Sequence, residues 1–100
     1  MPDAARTQLR MYQIEPGRMG EFMESFRAVV TARAEYGFTV DGAWVVDGED
    51  RFVWLATYHG DGDWDEAVER YYHSPERQAL DPDPATFIVS MDTKMVRPAL

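Results

Sequence analysis

The sequence predicts an α+β fold in which four β-strands and two helices follow one another in the order βαββαβ. Residues 37–60 indicate a β-hairpin, because two strand-like stretches flank the acidic turn Asp47-Gly48-Glu49-Asp50. Residues on either side of this hairpin repeat apolar side chains with the period of a helix. Further strand-like stretches lie near the two ends of the chain. Together these patterns give the predicted order.

Composition restricts the possible functions. The chain has 100 residues and no cysteine, and its formal net charge is −8. We expect a lead-in without regular structure over residues 1–6 and a single domain over residues 7–100. An acidic protein repels phosphate backbones and anionic lipids, so neither nucleic acid nor a membrane is an expected partner. The lack of cysteine and of a long apolar segment is compatible with a location in the cytoplasm.

The first half of the chain contains a strand, a helix and a second strand. Side chains alternate over residues 7–14, and Pro16-Gly17 ends this strand. Residues 18–36 carry apolar side chains on one helical stripe, and Gly37 is placed to end the helix. The stripe consists of Met19, Phe22, Met23, Phe26, Val29, Val30 and Arg33. Residues 38–46 then form the first strand of the hairpin.

In the second half, residues 51–58 complete the hairpin and Asp63 begins a helix. Glu66, three residues after Asp63, forms the second half of a capping box. Ser74 and Pro75 predict a short helical segment that ends near Leu80. Residues 81–84 are an acidic, proline-rich loop, and residues 87–96 are the last strand.

Antiparallel pairing of these strands gives a ferredoxin-like, four-stranded sheet with both helices on one face. Both faces of the sheet are rich in apolar side chains. In the second hairpin strand, for example, Phe52 and Trp54 alternate with Val53 and Leu55. Two helices cover only one face, and a large exposed apolar surface is typical of an interface. We therefore expect a homodimer in which two sheets pack face to face.

Several short motifs, in this order and spacing, resemble the NIPSNAP family over roughly residues 8–98. The resemblance is carried by Leu9-Arg10-Met11-Tyr12 with Pro16-Gly17, Tyr36-Gly37-Phe38, Gly42-Ala43-Trp44, Arg51-Phe52-Val53-Trp54 and Tyr71-Tyr72-His73-Ser74-Pro75-Glu76-Arg77. It implies a dimeric α+β barrel, in agreement with the two apolar faces. The family has no settled catalytic activity, so the resemblance implies no catalytic residues.

Aromatic side chains are the strongest indication of a binding site. Pockets for apolar ligands are lined with such rings, although the same rings also build cores and interfaces. We predict that some of them line a cleft between the helices and the sheet. The predicted ligand-binding residues are Tyr12, Trp44, Trp54, Tyr58, Tyr71 and Tyr72.

Three side chains are candidates for catalysis. His59 and His73 are the only histidines, and each lies at the predicted end of an element. Arg33 extends the apolar stripe of the first helix and could bind an anionic group. Arg10 and Asp92 lie within neighbouring strands and could form an ion pair. Residues 61–72 begin like a calcium-binding loop but lack its glycine and its final glutamate, so no metal site is predicted.

Two functions fit these observations, and both stay open at the level of sequence. The chain is either a dimer that binds a small apolar or aromatic molecule or a protein partner, or a cofactor-independent monooxygenase or isomerase. In the second case the substrate is a small aromatic or polyketide-like molecule, and His59, His73 or Arg33 handles protons or an oxyanion. No cofactor is predicted. Haem in particular is disfavoured, because no histidine falls within a helical stripe where it could bind haem.

Overall fold

The computed structural model describes residues 5–100 and contains one four-stranded antiparallel sheet. The elements, in chain order, are β1 (Arg6–Ile14), α1 (Met19–Ala34), β2 (Phe38–Val45), β3 (Arg51–Tyr58), α2 (Trp64–Tyr72), α3 (Pro75–Gln78), a 3₁₀ turn (Pro84–Phe87) and β4 (Ile88–Val96). The strands lie in the order β2-β3-β1-β4, and every neighbouring pair is antiparallel. The predicted α+β, ferredoxin-like fold is confirmed.

A few boundaries differ from those predicted. β1 begins at Arg6, and residues 1–4 of the predicted lead-in lie outside the described residues. β4 begins one residue later than predicted, because Asp83 and Pro84 start the 3₁₀ turn. The Asp83 side chain accepts a hydrogen bond of 2.9 Å from the backbone N–H of Ala85. The turn places Phe87 in the core instead of in the strand.

The predicted helix starts are confirmed by their hydrogen bonds. The Asp63 carboxylate accepts from the backbone N–H of Glu66 at 3.2 Å, as expected of a residue that caps a helix. The Ser74 hydroxyl accepts from the N–H of Arg77 at 3.1 Å and donates to the carbonyl of Tyr71 at 2.6 Å. Ser74 therefore both ends α2 and begins α3.

Glycine is required at position 37, which follows the end of α1. Gly37 has a φ of +88°, where a side chain strains the backbone. A Cβ atom at this position would also lie 3.0 Å from the Tyr58 ring. The predicted left-handed residue is thus confirmed, although the helix itself ends at Ala34.

The helices cover one face of the sheet, which we call the covered face. It carries the alternate residues of β1 and β3 that include Tyr12, Ile14, Phe52 and Trp54, all of them buried. Two clusters of buried side chains form here, one centred on α1 and the other on α2. The first consists of Tyr12, Ile14, Phe22, Phe26, Val29, Phe52, Trp54, Ala56 and Phe87, and the second of Ala32, Phe38, Tyr58, Ala67 and Tyr71.

The buried stripe of α1 is narrower than predicted. Phe22, Phe26, Val29 and Arg33 are buried, but Met23 and Val30 are exposed. These two side chains of the predicted stripe therefore face solvent and not the core.

The opposite face, which we call the open face, has no helix against it. Leu9, Met11, Val53 and Leu55 lie there at the centre of the sheet, and all four are only half-buried. The predicted Arg10–Asp92 ion pair is wrong. The β1–β4 register pairs Asp92 with Met11 and pairs Arg10 with Thr93, so the two charges lie on opposite faces.

Candidate functional site

A cavity of about 110 Å³ lies between the covered face and the helices. It is lined by aromatic and aliphatic side chains together with three arginines. The lining residues are Arg10, Tyr12, Phe22, Phe26, Val29, Arg33, Trp54, Tyr71, Tyr72, Arg77, Pro84, Ala85, Ile88 and Met91. No acidic residue is among them, although the chain has eighteen acids. The cavity is therefore basic in an acidic protein.

The helical spacing of α1 and the alternation of β1 place Arg33 and Arg10, the two most buried arginines, at this cavity. Phe26, Val29 and Arg33 follow one another at spacings of three and four residues, so Arg33 continues the buried side of α1. Arg10 and Tyr12 are two residues apart on β1 and therefore share the covered face. Both arginines are buried, with 6% of Arg10 and 2% of Arg33 exposed.

The hydroxyl group of Tyr72 connects these two arginines. It accepts a hydrogen bond from Nη2 of Arg10 and another from Nη2 of Arg33, each 3.3 Å long. Arg10 also donates to the hydroxyl of Tyr12 at 2.8 Å and to the side-chain oxygen of Gln8 at 2.6 Å. Arg10 is thus well supplied with neutral acceptors, whereas Arg33 has one.

Arg33 is surrounded by aromatic rings instead. Its guanidinium carbon lies 4.5 Å from the ring centre of Tyr71 and 5.1 Å from those of Phe38 and Trp54. These distances allow cation–π attraction. Trp54 belongs to the first core cluster, and Phe38 and Tyr71 belong to the second. Arg33 therefore lies at the boundary between the two clusters.

Burial and neighbouring charge shift the pKa values of the cavity residues. Burial lowers the pKa of Arg33; the nearby Tyr72 raises it, and Arg10 lowers it further. Burial also lowers the pKa of Arg10, but Tyr12 and Tyr72 outweigh this effect and the net pKa is raised. The pKa of Tyr71 is raised by burial, against the opposing effect of Arg33. Guanidinium groups titrate so far above neutrality that both arginines stay charged.

Three residues of the cavity have buried polar atoms without a hydrogen-bonding partner among the described residues. These atoms are Nε and Nη1 of Arg33, Nε1 of Trp54 and the hydroxyl oxygen of Tyr71. Buried polar groups are almost always paired in folded proteins. Four unpaired atoms around one cavity identify it as the place where the fold itself leaves polar groups unsatisfied.

Five of the predicted site residues lie together at this cavity. Arg33 is the one candidate for catalysis among them, and the other four are predicted ligand-binding residues. The five are Arg33, Tyr12, Trp54, Tyr71 and Tyr72.

The other four predicted residues lie elsewhere. Tyr58 is buried beneath α2, and its hydroxyl accepts from Arg70 at 3.1 Å. Trp44 is 53% exposed on the open face, where its ring lies over Gly42. His59 contacts Thr39 at 2.8 Å and His73 contacts Glu69 at 3.1 Å, both at the surface. Neither histidine is among the residues that line the helix–sheet cavity, because each follows the last residue of its element and is exposed.

Sequence reasoning missed Arg10 and Arg77 as cavity residues. The signal for Arg10 was its alternation with Tyr12 and Ile14, which places all three on one face of β1. Arg77 forms an ion pair of 3.1 Å with Asp83 in the following loop. It also lies over the ring of Tyr72 at 5.5 Å, at the rim of the cavity.

Two further structural observations concern metals and membranes. Over residues 5–100, no three side chains of the metal-binding types come together in a cluster. In the same part of the chain, no helix combines the length and apolar character needed to cross a lipid bilayer.

The fold and cavity define a small α+β protein of the ferredoxin-like class, with a basic, ring-lined cavity between its two layers. The NIPSNAP family model matches residues 7–100, and the chain belongs to this family. No curated protein matches the sequence.

Solved structures with similar folds agree with this assignment. An uncharacterized NIPSNAP domain protein from Burkholderia xenovorans is 21% identical, with a TM-score of 0.79 and 94% of each chain covered. A NIPSNAP family protein from Agrobacterium tumefaciens is 20% identical, with a TM-score of 0.81 and coverage of 95% of this chain and 93% of that one. A proposed antibiotic biosynthesis monooxygenase from Bacteroides thetaiotaomicron is 12% identical, with a TM-score of 0.74 and coverage of 96% and 90%. Similarity at these identities shows the fold alone.

Proposed function

We propose that this NIPSNAP domain is a homodimeric binding protein that holds a small apolar or aromatic molecule in the cavity between helices and sheet. The observation that carries the proposal is the cavity itself. Its walls combine rings with a few polar groups, which is the usual composition of a ligand site. Its volume of about 110 Å³ is comparable to the ~150 Å³ of a cavity known to bind benzene. The cytoplasmic location expected from the sequence stays part of the proposal.

The ligand claim is tested by blocking the cavity. Val29 lines the cavity, and the neighbouring Val30 lies on the outer side of α1. Val29→Phe is expected to fill the space and abolish binding, while Val30→Phe is the matched control that preserves it. Binding of toluene, phenol and benzyl alcohol is measured by saturation-transfer NMR. If none of these molecules binds the wild-type protein, or if Val29→Phe binds them unchanged, the cavity is not the ligand site.

The homodimer is supported by the open face. Strands of eight or nine residues give this face a length of about 28 Å, and four strands give a width of about 19 Å. Its flat area of roughly 500 Å² is of the order of the ~800 Å² that each partner buries in a standard interface. Leu9, Met11, Val53 and Leu55 would supply an apolar centre for such an interface.

Light scattering tests the dimer. The wild-type protein is expected at twice the 11.5 kDa mass of the protomer. Leu55→Asp is expected to give the protomer mass, because a carboxylate buried in the apolar centre of the interface lacks a partner. Val30→Asp, a similar change on the outer surface of α1, is expected to leave the dimer intact. A wild-type protein that is monomeric at micromolar concentration would disprove this part of the proposal.

The enzymatic alternative has narrower support. Of the three predicted catalytic candidates, Arg33 alone borders the cavity, and it is an arginine that stays protonated. A fixed cation can stabilise an oxyanion, but it does not act as a general base near neutral pH. Binding is therefore the function that the geometry supports best.

A further inference from the structure

We propose that the cavity binds the carboxylate group of a small organic acid, with Arg33 and Arg10 as its cationic partners and Tyr72 between them. The inference rests on the proposed function, because it names the chemistry of the molecule that occupies the same cavity.

The first reason is charge. Arg33 and Arg10 share the Tyr72 hydroxyl, and neither forms an ion pair within the described part of the chain. Each exposes less than a tenth of its surface. Two buried cations without a counter-ion repel each other and lose their hydration. A bound anion would offset the repulsion between the two charges and would replace the hydration that each has lost.

The second reason is the set of unpaired polar atoms. Arg33 leaves Nε and Nη1 unpaired, so each two-donor edge of its guanidinium fork, Nε–Nη2 and Nη1–Nη2, keeps one donor without a partner. A carboxylate offers two oxygens with the spacing that this fork matches. Nε1 of Trp54 and the hydroxyl of Tyr71 are further unpaired donors on side chains that line the same cavity.

The rings around Arg33 do not replace such an acceptor. Cation–π attraction from Tyr71, Phe38 and Trp54 stabilises the charge. It leaves the polar atoms of Trp54 and Tyr71 unpaired, and it does nothing for the repulsion between the two arginines. An aromatic cage alone therefore explains why Arg33 is tolerated, but not why three residues that line one cavity keep donors without an acceptor.

Tyr72 is placed to complete the site. Its hydroxyl oxygen already accepts from both arginines, so its own proton is available to a third group. A carboxylate that contacts Arg33 and Arg10 would receive this proton as another hydrogen bond. Tyr72 is therefore expected to set the position of the anion between the two cations.

The rest of the cavity indicates what the carboxylate is attached to. Phe22, Phe26 and Val29 form a wall without polar groups, which favours an apolar body next to the charge. Met91, which is 51% exposed, and Ala85 mark the outer end of the cavity. The ligand expected from these walls is a small aromatic or short aliphatic acid, and inorganic phosphate lacks the apolar body.

The experiment compares acids with their neutral amides. Benzoate and hexanoate are titrated into the full-length protein by calorimetry, and benzamide, hexanamide and inorganic phosphate are titrated in parallel. Charge-assisted hydrogen bonds lead us to expect at least about tenfold tighter binding of an acid than of its amide. Phosphate is expected to bind more weakly than benzoate. Equal binding of acids and amides would overturn the carboxylate inference while leaving the cavity-binding proposal intact.

Substitutions of single arginines test which side chain contacts the carboxylate. Arg33→Met is expected to remove the preference for acids over amides, and Arg10→Met is expected to reduce it. Arg70→Met is the matched control, since Arg70 also donates to a tyrosine hydroxyl, that of Tyr58, but lies outside the cavity. An acid preference that survives in both cavity variants would overturn the inference.

The melting temperature of the unliganded protein provides an independent measurement. If Arg33 is retained to bind an anion, Arg33→Met removes an uncompensated buried charge, and its melting temperature should equal or exceed that of the wild type. A purely structural arginine predicts the opposite result. A lower melting temperature in Arg33→Met, together with an unchanged acid preference in the same variant, would assign Arg33 to the core alone.

Discussion

The two faces of the sheet differ in an unexpected way. The centre of the covered face is almost fully buried, yet the polar atoms of Arg33, Trp54 and Tyr71 lack partners there. The open face is half-exposed, yet five of its polar side chains are linked to one another by hydrogen bonds. An unpaired polar group reduces the stability of the fold far more when it is buried than when it is exposed. Selection for stability alone would therefore pair the polar groups of the covered face first.

Five polar residues of the open face form a continuous chain of hydrogen bonds. Thr7 contacts Thr57 at 2.9 Å, and Thr57 donates to the carboxylate of Asp41. Thr39 donates to the other oxygen of Asp41 at 2.9 Å and contacts His59 at 2.8 Å. These groups are satisfied within the fold and need no ligand. The comparison teaches that unpaired polar atoms, and not polar atoms as such, distinguish a binding site from a structural network.

The largest loss of stability is expected at Trp54, and Trp44 on the neighbouring strand serves as the comparison. Trp54 is 1% exposed on the covered face, and Trp44 is 53% exposed on the open face. Trp54→Ala is expected to cost about 3–5 kcal/mol in free energy of unfolding. Trp44→Ala is expected to cost about 0.5 kcal/mol. Urea denaturation measures both in the Leu55→Asp background, where the proposed dimer is absent.

Equal losses in the two tryptophan variants would break the distinction between the faces. They would mean that Trp44 is buried in solution as completely as Trp54. A large loss from Trp44→Ala that appears only with Leu55 intact would instead locate Trp44 in the dimer interface.

The second prediction concerns the hydrogen bonds of the open face. Thr57 is 3% exposed and bonds both Asp41 and Thr7. Thr57→Val keeps the shape but removes both bonds, and we expect a loss of about 1–2 kcal/mol in free energy of unfolding. The control is Thr93→Val on β4, where the threonine is half-exposed, and its expected effect is near zero. A neutral Thr57→Val would show that the network is not needed for stability.

The smallest expected effect is a pH dependence at the rim of the cavity, where an arginine does have an acidic partner. A hydrogen bond from the backbone N–H of Ala85, followed by the charge of Arg77, lowers the pKa of Asp83. A lowered pKa stabilises the fold at pH values above the unfolded value of about 3.9, and this contribution disappears as the pH falls through the folded value.

Asp83→Asn tests this contribution because asparagine caps a turn about as well as aspartate but carries no charge. The Asp83 side chain is 56% exposed, so solvent screening limits the expected loss to at most about 1 kcal/mol near pH 6. Thermal melts between about pH 2 and pH 6 should show the two proteins converging at the acidic end. A difference that persists at the lowest pH would show that the carboxylate charge is not its cause.

Part of the site could be predicted from sequence, because several of its residues are a few positions apart on the same helix. Arg33 continues a helical stripe and Tyr71 and Tyr72 lie on the next helix, so their common location follows from the predicted topology. His59 and His73 do lie at the ends of their elements as predicted, but the end of an element does not show in which direction a side chain points. Arg10 was missed because a single charge in a strand has no local pattern that identifies its partner.

The sequence by itself determined the order of the elements, the helix caps at Asp63 and Ser74, and the family. These features depend on residues a few positions apart, whose effects on the backbone are local. Only the tertiary structure decided which face of the sheet the helices cover. Both faces are apolar, so the alternation of Phe52 and Trp54 with Val53 and Leu55 is equally compatible with either choice. Packing all the elements together decides it, and that choice buries Arg10 and Arg33 side by side.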